Sequence, residues 1–419
     1  MKYVTNQLQL AAVLLGTLLC SVGPASAATI AAANCSQSTV QSAINSANDG
    51  DTVTVPAGTC TWSTSVSISG KTITLAGAGS GIGGTKILYG GSGHTLVSIN
   101  PGSKTGKVDV SGFYFSGGDS NFWGGMAIAF DGPVGWKNLR IHHNLFENKL
   151  WTLRGAAYIY GLIDHNTFQG SAYGMILRGR GDTDWSTPLV LGSADFFFVE
   201  DNTFNWNDWY GNTGAPTVDM ENGGRVVFRN NSVKYGMVET HDMPRNGSPS
   251  ANAWEIYKNM LSRSSGNQWK GLDISAGTGV IWGNTFTGDY SVPVGGIDYK
   301  SFDPRSSKLC DGSDPKDQNV AGQSGWRCQY QIGSQGQGAT AVGYPAYIWS
   351  NTVNGASTGM NVTAGANHVQ ASRDYFNNGS TPKPGYTQYT YPHPLQSGSP
   401  SPPAAPSPPA APTNLRIAP

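Results

Sequence analysis

Seven asparagines set the frame of this chain. Asn144, Asn166, Asn202, Asn231, Asn259, Asn284 and Asn351 share one local pattern, with a large apolar residue three positions before and another two positions after. The residues before are Ile141, Ile163, Val199, Phe228, Ile256, Ile281 and Ile348, and those after are Phe146, Phe168, Phe204, Val233, Leu261, Phe286 and Val353. A chain only 38% hydrophobic does not fill every such position with apolar residues by chance. Asn144 and Asn166 are 22 residues apart and Asn259 and Asn284 are 25 apart, enough for three short strands and three corners. Asn is the non-glycine residue best suited to a left-handed corner, where its amide also bonds neighbouring backbone. Stacked coils place these amides in a ladder with steps of about 4.8 Å. The flanking apolar residues then point inward as the core. The repeat specifies an all-β solenoid, a parallel β-helix.

Larger gaps mark insertions. Asn166 to Asn202 spans 36 residues and carries Arg180-Gly-Asp-Thr-Asp-Trp185, and Asn231 to Asn259 spans 28 and carries Met243-Pro-Arg245. Asn284 to Asn351 spans 67 and carries Cys310 and Cys328. Long loops on a rigid scaffold often build binding sites. The repeat domain is expected over 28–396, with insertions at 180–195, 242–253 and 302–344. Before the coils, Val40, Ala43, Ile44 and Ala47 share one face of a short helix over Ser38–Ala47, placed to cap the open apolar end. Tyr386 to Leu395 is expected to cover the carboxyl-terminal end. Residues 397–419 read as a Pro/Ala/Ser-rich linker and tail.

Lys2 precedes an apolar run from Leu8 to Leu19, and Ala25-Ser26-Ala27 offers a cleavage site, so 1–27 reads as a secretory signal peptide. Leu19 is too bulky for lipid attachment at Cys20. The mature chain is expected outside the cytoplasm, extracellular or periplasmic, without membrane insertion. Its four cysteines allow three connectivities; sequence neighbours favour Cys35–Cys60 and Cys310–Cys328. Zinc is disfavoured, as no CxxC pair occurs. With 26 basic and 26 acidic residues there is no overall pull toward nucleic acid. Twelve Trp and 18 Tyr among 56 Gly suit a turn-rich protein that handles polar ring-shaped ligands.

The capping helix, the run Asp49-Gly-Asp-Thr-Val-Thr-Val-Pro-Ala-Gly58 and the Asn-x-Phe coils resemble right-handed parallel β-helix proteins of the pectate-lyase-like superfamily, over Asn34 to Leu395. The resemblance implies a right-handed single-stranded parallel β-helix with an N-terminal capping helix. That superfamily includes polysaccharide lyases, glycoside hydrolases, epimerases, esterases and non-catalytic tailspikes and adhesins, so fold alone assigns no activity.

Aligning the strands after each Asn turn by their inward residues gives two outward columns. One reads Thr152, Ile176, Asp219, Glu239, Asp273, Asp298, Asn361; the other reads Arg154, Arg178, Glu221, His241, Ser275, Lys300, Thr363. Four consecutive coils then carry a carboxylate in the first column, and stacked like charges are costly to keep. Asp219, Glu221, Glu239 and Asp273 suit Ca²⁺, which prefers several oxygen ligands. The resemblance to pectate lyases implies that such an ion bridges to a uronate carboxylate while Lys300, Arg178 or His241 takes the α-proton. Glu239 and Asp298 stand beside these as catalytic carboxylates. The same face equally supports glycoside hydrolysis, since carboxylates one or two coils apart bracket retaining and inverting separations. A solvated face of a binding or adhesion protein is the third reading; no organic cofactor is called for, and a monomer is expected.

Other residues enter as substrate contacts. Arg154 lies on the outward face. Asp184, Trp185 and Arg245 sit with Arg180 in loops that could close over it, and Trp206, Trp209 and Tyr210 form an aromatic cluster suited to stacking on sugars. His142, His143, Asp164 and His165 stand before corners on adjacent coils, where a polar outer face is a plainer reading than a metal site. Trp282 and Trp349 fit stacking between coils.

Overall fold

In a computed structural model the described residues are 26–118, 125–148, 151–170, 173–207, 215–241, 249–298, 301, 327–336, 340–366 and 368–397. The chain winds as a right-handed parallel β-helix with three walls. One wall stacks strands such as Leu139–His142, Leu162–Asp164, Phe197–Glu200, Arg225–Arg229, Ala253–Tyr257 and Thr278–Trp282 in parallel register. A second begins just after each ladder Asn, as in Leu145–Asn148, Thr167–Gly170 and Thr203–Trp206. The third holds Trp151–Ala156, Tyr173–Arg178, Ala215–Glu221 and Gly236–Thr240. Met260–Ile274 and Thr285–Ile297 run without a break through both the second and third walls.

The asparagine ladder forms as the sequence requires. The Nδ2 of Asn144, Asn166, Asn202, Asn231, Asn259 and Asn284 each donates to Oδ1 of the next ladder asparagine at 2.9–3.1 Å. The left-handed corner, however, is one residue earlier than expected. His143, His165, Asp201, Asn230, Lys258, Gly283 and Ser350 take φ between 51° and 64°. Their position leaves each Asn side chain turned inward, where it bonds a backbone carbonyl of the preceding coil and, at Asn144, Asn166, Asn202 and Asn231, one of its own coil, as Asn166 does to Ile141 and Asp164. Inside, Phe115, Phe146, Phe168 and Phe204 stack at centroid spacings of 5.5, 4.9 and 4.6 Å, close to the rise of one coil.

The helix forms over Gln37–Ser46 and buries Val40, Ala43 and Ile44 against the first coils. Cys35 and Cys60 are joined by a disulfide there. Cys328 is also disulfide-bonded, and Cys310, its expected partner, lies outside the described residues. The segment after Tyr386 does not cover the carboxyl-terminal end. It runs back along the first wall as a strap, because charged groups buried on that wall need partners. Tyr386 Oη donates to Glu255 at 2.6 Å, Arg229 donates to the carbonyls of Tyr389 and Thr390, and the His393 backbone N–H donates to Glu200. Trp282 and Trp349 stack at 5.6 Å on the same wall. No helix among the described residues is long and apolar enough to cross a membrane.

Candidate active site

The candidate site is on the third wall, and backbone pairing fixes its columns. The first runs Ser98, Ala129, Arg154, Ile176, Asp219, Glu239, Asp273, Gly295, Asn361. In the second, Ala156, Arg178 and Glu221 are in register, and His241 follows Thr240, the partner of Met220. Asp219, Glu221, Glu239, His241 and Asp273 therefore come together as expected. Two assignments change. Arg154, not Thr152, precedes Ile176, because Leu153 could pair with Met175 or Leu177 and alternation does not distinguish a slip of two. Asp298 leaves the column to Gly295, since the wall bulges between Gly296 and Ile297. The carboxylate run is three coils long. Asp298 is fully buried, accepting from the Ile332 N–H at 2.7 Å and facing His368, so it serves packing and not the outer face.

Within the cluster, Tyr173 Oη donates to Asp219 Oδ2 at 2.8 Å. His241 Nδ1 lies 3.3 Å from Asp219 and 3.8 Å from both Glu221 and Glu239. Asp219 Oδ1 is buried with no hydrogen-bond donor aligned to it. Arg178 Nε pairs with Glu221 at 2.5 Å, and Lys270 Nζ pairs with Asp273. Burial, then the Asp219 charge, hold the Glu239 carboxyl up at about 8. Burial pulls the His241 imidazole down, but the Asp219 hydrogen bond and the surrounding carboxylates outweigh it and lift it to about 9. Burial and Asp219 likewise raise Glu221. Burial and the charges of Asp219 and Glu239 hold the Tyr173 phenol well above its ordinary value. At neutral pH Glu239 thus stands as a neutral carboxylic acid, His241 as an imidazolium and Tyr173 as a phenol, grouped around the buried Asp219.

Beside the cluster, toward the amino-terminal coils, a groove of about 450 Å³ is lined by Ser98, Asp131, Arg154, Tyr158, Arg178 and Asn222 among others. Arg178 borders both features.

Several expected contacts do not reach this site. Asp184 is buried in an ion pair with Arg180, and the Trp185 indole is buried, donating to the Ser250 carbonyl and packed on Tyr330. Both hold the 180–195 insertion on the scaffold, so neither is available to a sugar. Trp206 is buried too, its Nε1 donating to Thr217. His142 bonds Asp109 and His143 stacks on His165 at 5.1 Å, a polar outer face. Lys300, Arg245, Trp209 and Tyr210 lie outside the described residues. Sequence reasoning missed Tyr173 and Lys270. Each stands three residues before a column position, off the alternation used to read the face.

Asp219, Glu221 and His241 bring one donor atom each to within 4.8 Å of one another. The four-carboxylate set expected for Ca²⁺ does not assemble around a free centre. Lys270 holds Asp273, Arg178 holds Glu221, and Tyr173 and His241 hold Asp219, so the carboxylates already have cationic or proton-donating partners.

No family model matches the chain, and no curated protein matches it in sequence. Among solved structures, an alginate lyase from Paenibacillus sp. str. FPU-7 is 13% identical, with a TM-score of 0.47 over 84% of this chain and 99% of that one. The catalytic domain of a GH87 α-1,3-glucanase in complex with nigerose is 11% identical, with a TM-score of 0.36 over 86% of this chain and 68% of that one.

Proposed function

We propose that this chain is an exported enzyme that cleaves an acidic, uronate-containing polysaccharide on the third wall by β-elimination. The observation that carries this reading is one surface on which the guanidinium groups of Arg154 and Arg178 lead into the cluster of Asp219, Glu239, His241 and Tyr173. Elimination needs three things there. The uronate carboxylate must be neutralised, the proton on the carbon beside it removed, and the departing glycosidic oxygen protonated. Arg178 and the His241 imidazolium supply positive charge for the first. For the second, Tyr173 Oη accepts the carbon-bound proton as its own proton passes to Asp219 across the existing hydrogen bond. The electrons of the broken C–H bond form the carbon–carbon double bond, and the bond to the glycosidic oxygen breaks. Glu239, held neutral, gives that oxygen its proton. No step is routed through calcium, because Arg178 already holds Glu221 and Lys270 holds Asp273. The Cys35–Cys60 disulfide supports an oxidising, extracytoplasmic location.

A second reading has its own observation. Glu239, raised to about 8 beside the Asp219 carboxylate one coil away, is also the acid–nucleophile arrangement of a retaining glycoside hydrolase, whose carboxyls are about 5 Å apart. One assay separates the two. The purified protein is given polyuronates and neutral glycans, with calcium or with a chelator, while ultraviolet absorbance of the conjugated double bond and new reducing ends are both followed. Elimination yields both signals and hydrolysis yields reducing ends alone. Glu239→Gln should lower turnover at least about 100-fold without unfolding the protein. Silence on every glycan from folded protein would sink the enzyme reading in favour of binding. Loss of activity with chelator would overturn the metal-independent route.

A further inference from the structure

Arg154 differs from every other cation around the cluster. Arg178 is paired with Glu221 and Lys270 with Asp273, whereas Arg154 has no ion pair among the described residues. Its side chain is exposed and lines the groove of about 450 Å³ together with Gly155 and Ala156. The nearest carboxylate in the groove, Asp131, is engaged elsewhere: it accepts from Tyr158 Oη at 2.5 Å and from the Gly132 N–H at 2.7 Å. Arg178 stands one coil along in the neighbouring column, and its repulsion of Arg154 outweighs the attraction of Glu221, so Arg154 stands in a net unfavourable field. An anion bound between substrate and wall relieves that cost.

We infer that Arg154 is the anchor of a distinct subsite for a uronate carboxylate, two coils from the reacting centre. Arg154, Ile176 and Asp219 are successive partners in one column, which sets the Arg154 backbone about 10 Å from that of Asp219 along the solenoid axis. A glycan lying along the axis therefore meets Arg154 with a sugar some two units removed from the bond that breaks. The planar fork of Arg154 suits a carboxylate bidentately, and Asp131 with Tyr158 offers partners for the hydroxyls of the same ring. The wall then selects its substrate by a second acidic sugar at a fixed distance and not only by the one being cleaved. This subsite rests on the reading of the wall as a glycan-cleaving surface, but it is defined by binding and can fail separately.

The test is calorimetric titration of the full chain carrying Glu239→Gln with uronate oligosaccharides and with the same oligosaccharides after carboxyl reduction. Adding Arg154→Gln should weaken uronate binding about 10- to 100-fold, the loss of a charge-assisted pair, and leave the carboxyl-reduced oligomers unaffected. Arg154→Lys should recover only part of the affinity, since a point charge lacks the fork. Equal affinity with and without Arg154, or equal weakening for charged and reduced oligomers, would overturn the subsite. So would failure of any uronate oligomer to bind. If selective binding holds but wild-type protein yields no product from polyuronates, the subsite stands and the proposed chemistry falls.

Discussion

Replacing Asn231 by alanine tests the ladder that sets every coil. The Asn231 amide makes five contacts: Nδ2 donates to the carbonyls of Val199 and Arg229 and to Asn259 Oδ1, while Oδ1 accepts from both the backbone N–H and the Nδ2 of Asn202. The residue is buried, and so are its partners Asn202 and Asn259. Asn231→Ala leaves the buried backbone N–H of Asn202 without an acceptor, while the Asn202 amide loses its ladder bond but keeps the carbonyls of Ile163 and Glu200. At about 1–3 kcal/mol for the orphaned N–H and about 0.5–1.5 kcal/mol for the lost ladder bond, the loss is about 1.5–4.5 kcal/mol. The carbonyls of Val199 and Arg229 add less, since a carbonyl tolerates under-satisfaction better than an N–H does. Asn144 provides the internal control. Its Oδ1 accepts from the Phe113 N–H but from no ladder amide among the described residues, so Asn144→Ala orphans one N–H in the same way, loses no incoming ladder bond, and should cost about 0.5–1.5 kcal/mol less. Urea unfolding followed by far-ultraviolet circular dichroism and by tryptophan fluorescence measures both. Stability of Asn231→Ala within about 1 kcal/mol of wild type, or a larger loss at Asn144 than at Asn231, would refute the ladder as a hydrogen-bonded unit.

Two further perturbations report on the ends of the scaffold. Burial raises the Glu255 carboxyl to about 7, against partial relief from Tyr386 and the Gly192 N–H. The folded state therefore holds a proton there that the unfolded chain has released, so this group's contribution to stability falls as pH rises from about 4.5 to 7 and stays low above it. Glu255→Gln should match wild type near pH 4 and exceed it at pH 8 by up to about 3 kcal/mol; parallel stability profiles would contradict the assignment. Removing the Cys35–Cys60 link, whose cysteines are 25 residues apart, should cost about 3 kcal/mol, read as a lower unfolding midpoint of the double Ser variant. An unchanged midpoint would show that packing of the capping helix alone secures this end.

The solenoid follows from the sequence. Apolar residues at fixed offsets from seven asparagines admit one way of burying them, and the same offsets dictate where coils stack, so the ladder and the Phe146–Phe204 core were legible in the chain itself, and the stack extends back to Phe115 in the fold. The centre of the candidate site was legible for the same reason. Asp219-Met-Glu221 and Glu239-Thr-His241 alternate strictly with inward residues, and strict alternation fixes the face. Register and pairing are set in three dimensions. A pattern of period two cannot tell Leu153 opposite Met175 from Leu153 opposite Leu177, and the glycines before Ile297 erase the alternation that would place Asp298. Tyr173 and Lys270 reach the cluster from off-column positions, which no one-dimensional pattern encodes. The strap from Tyr386 to Gln396 follows buried charges on Arg229, Glu200 and Glu255, residues more than 130 positions away in sequence; its course depends on three-dimensional desolvation.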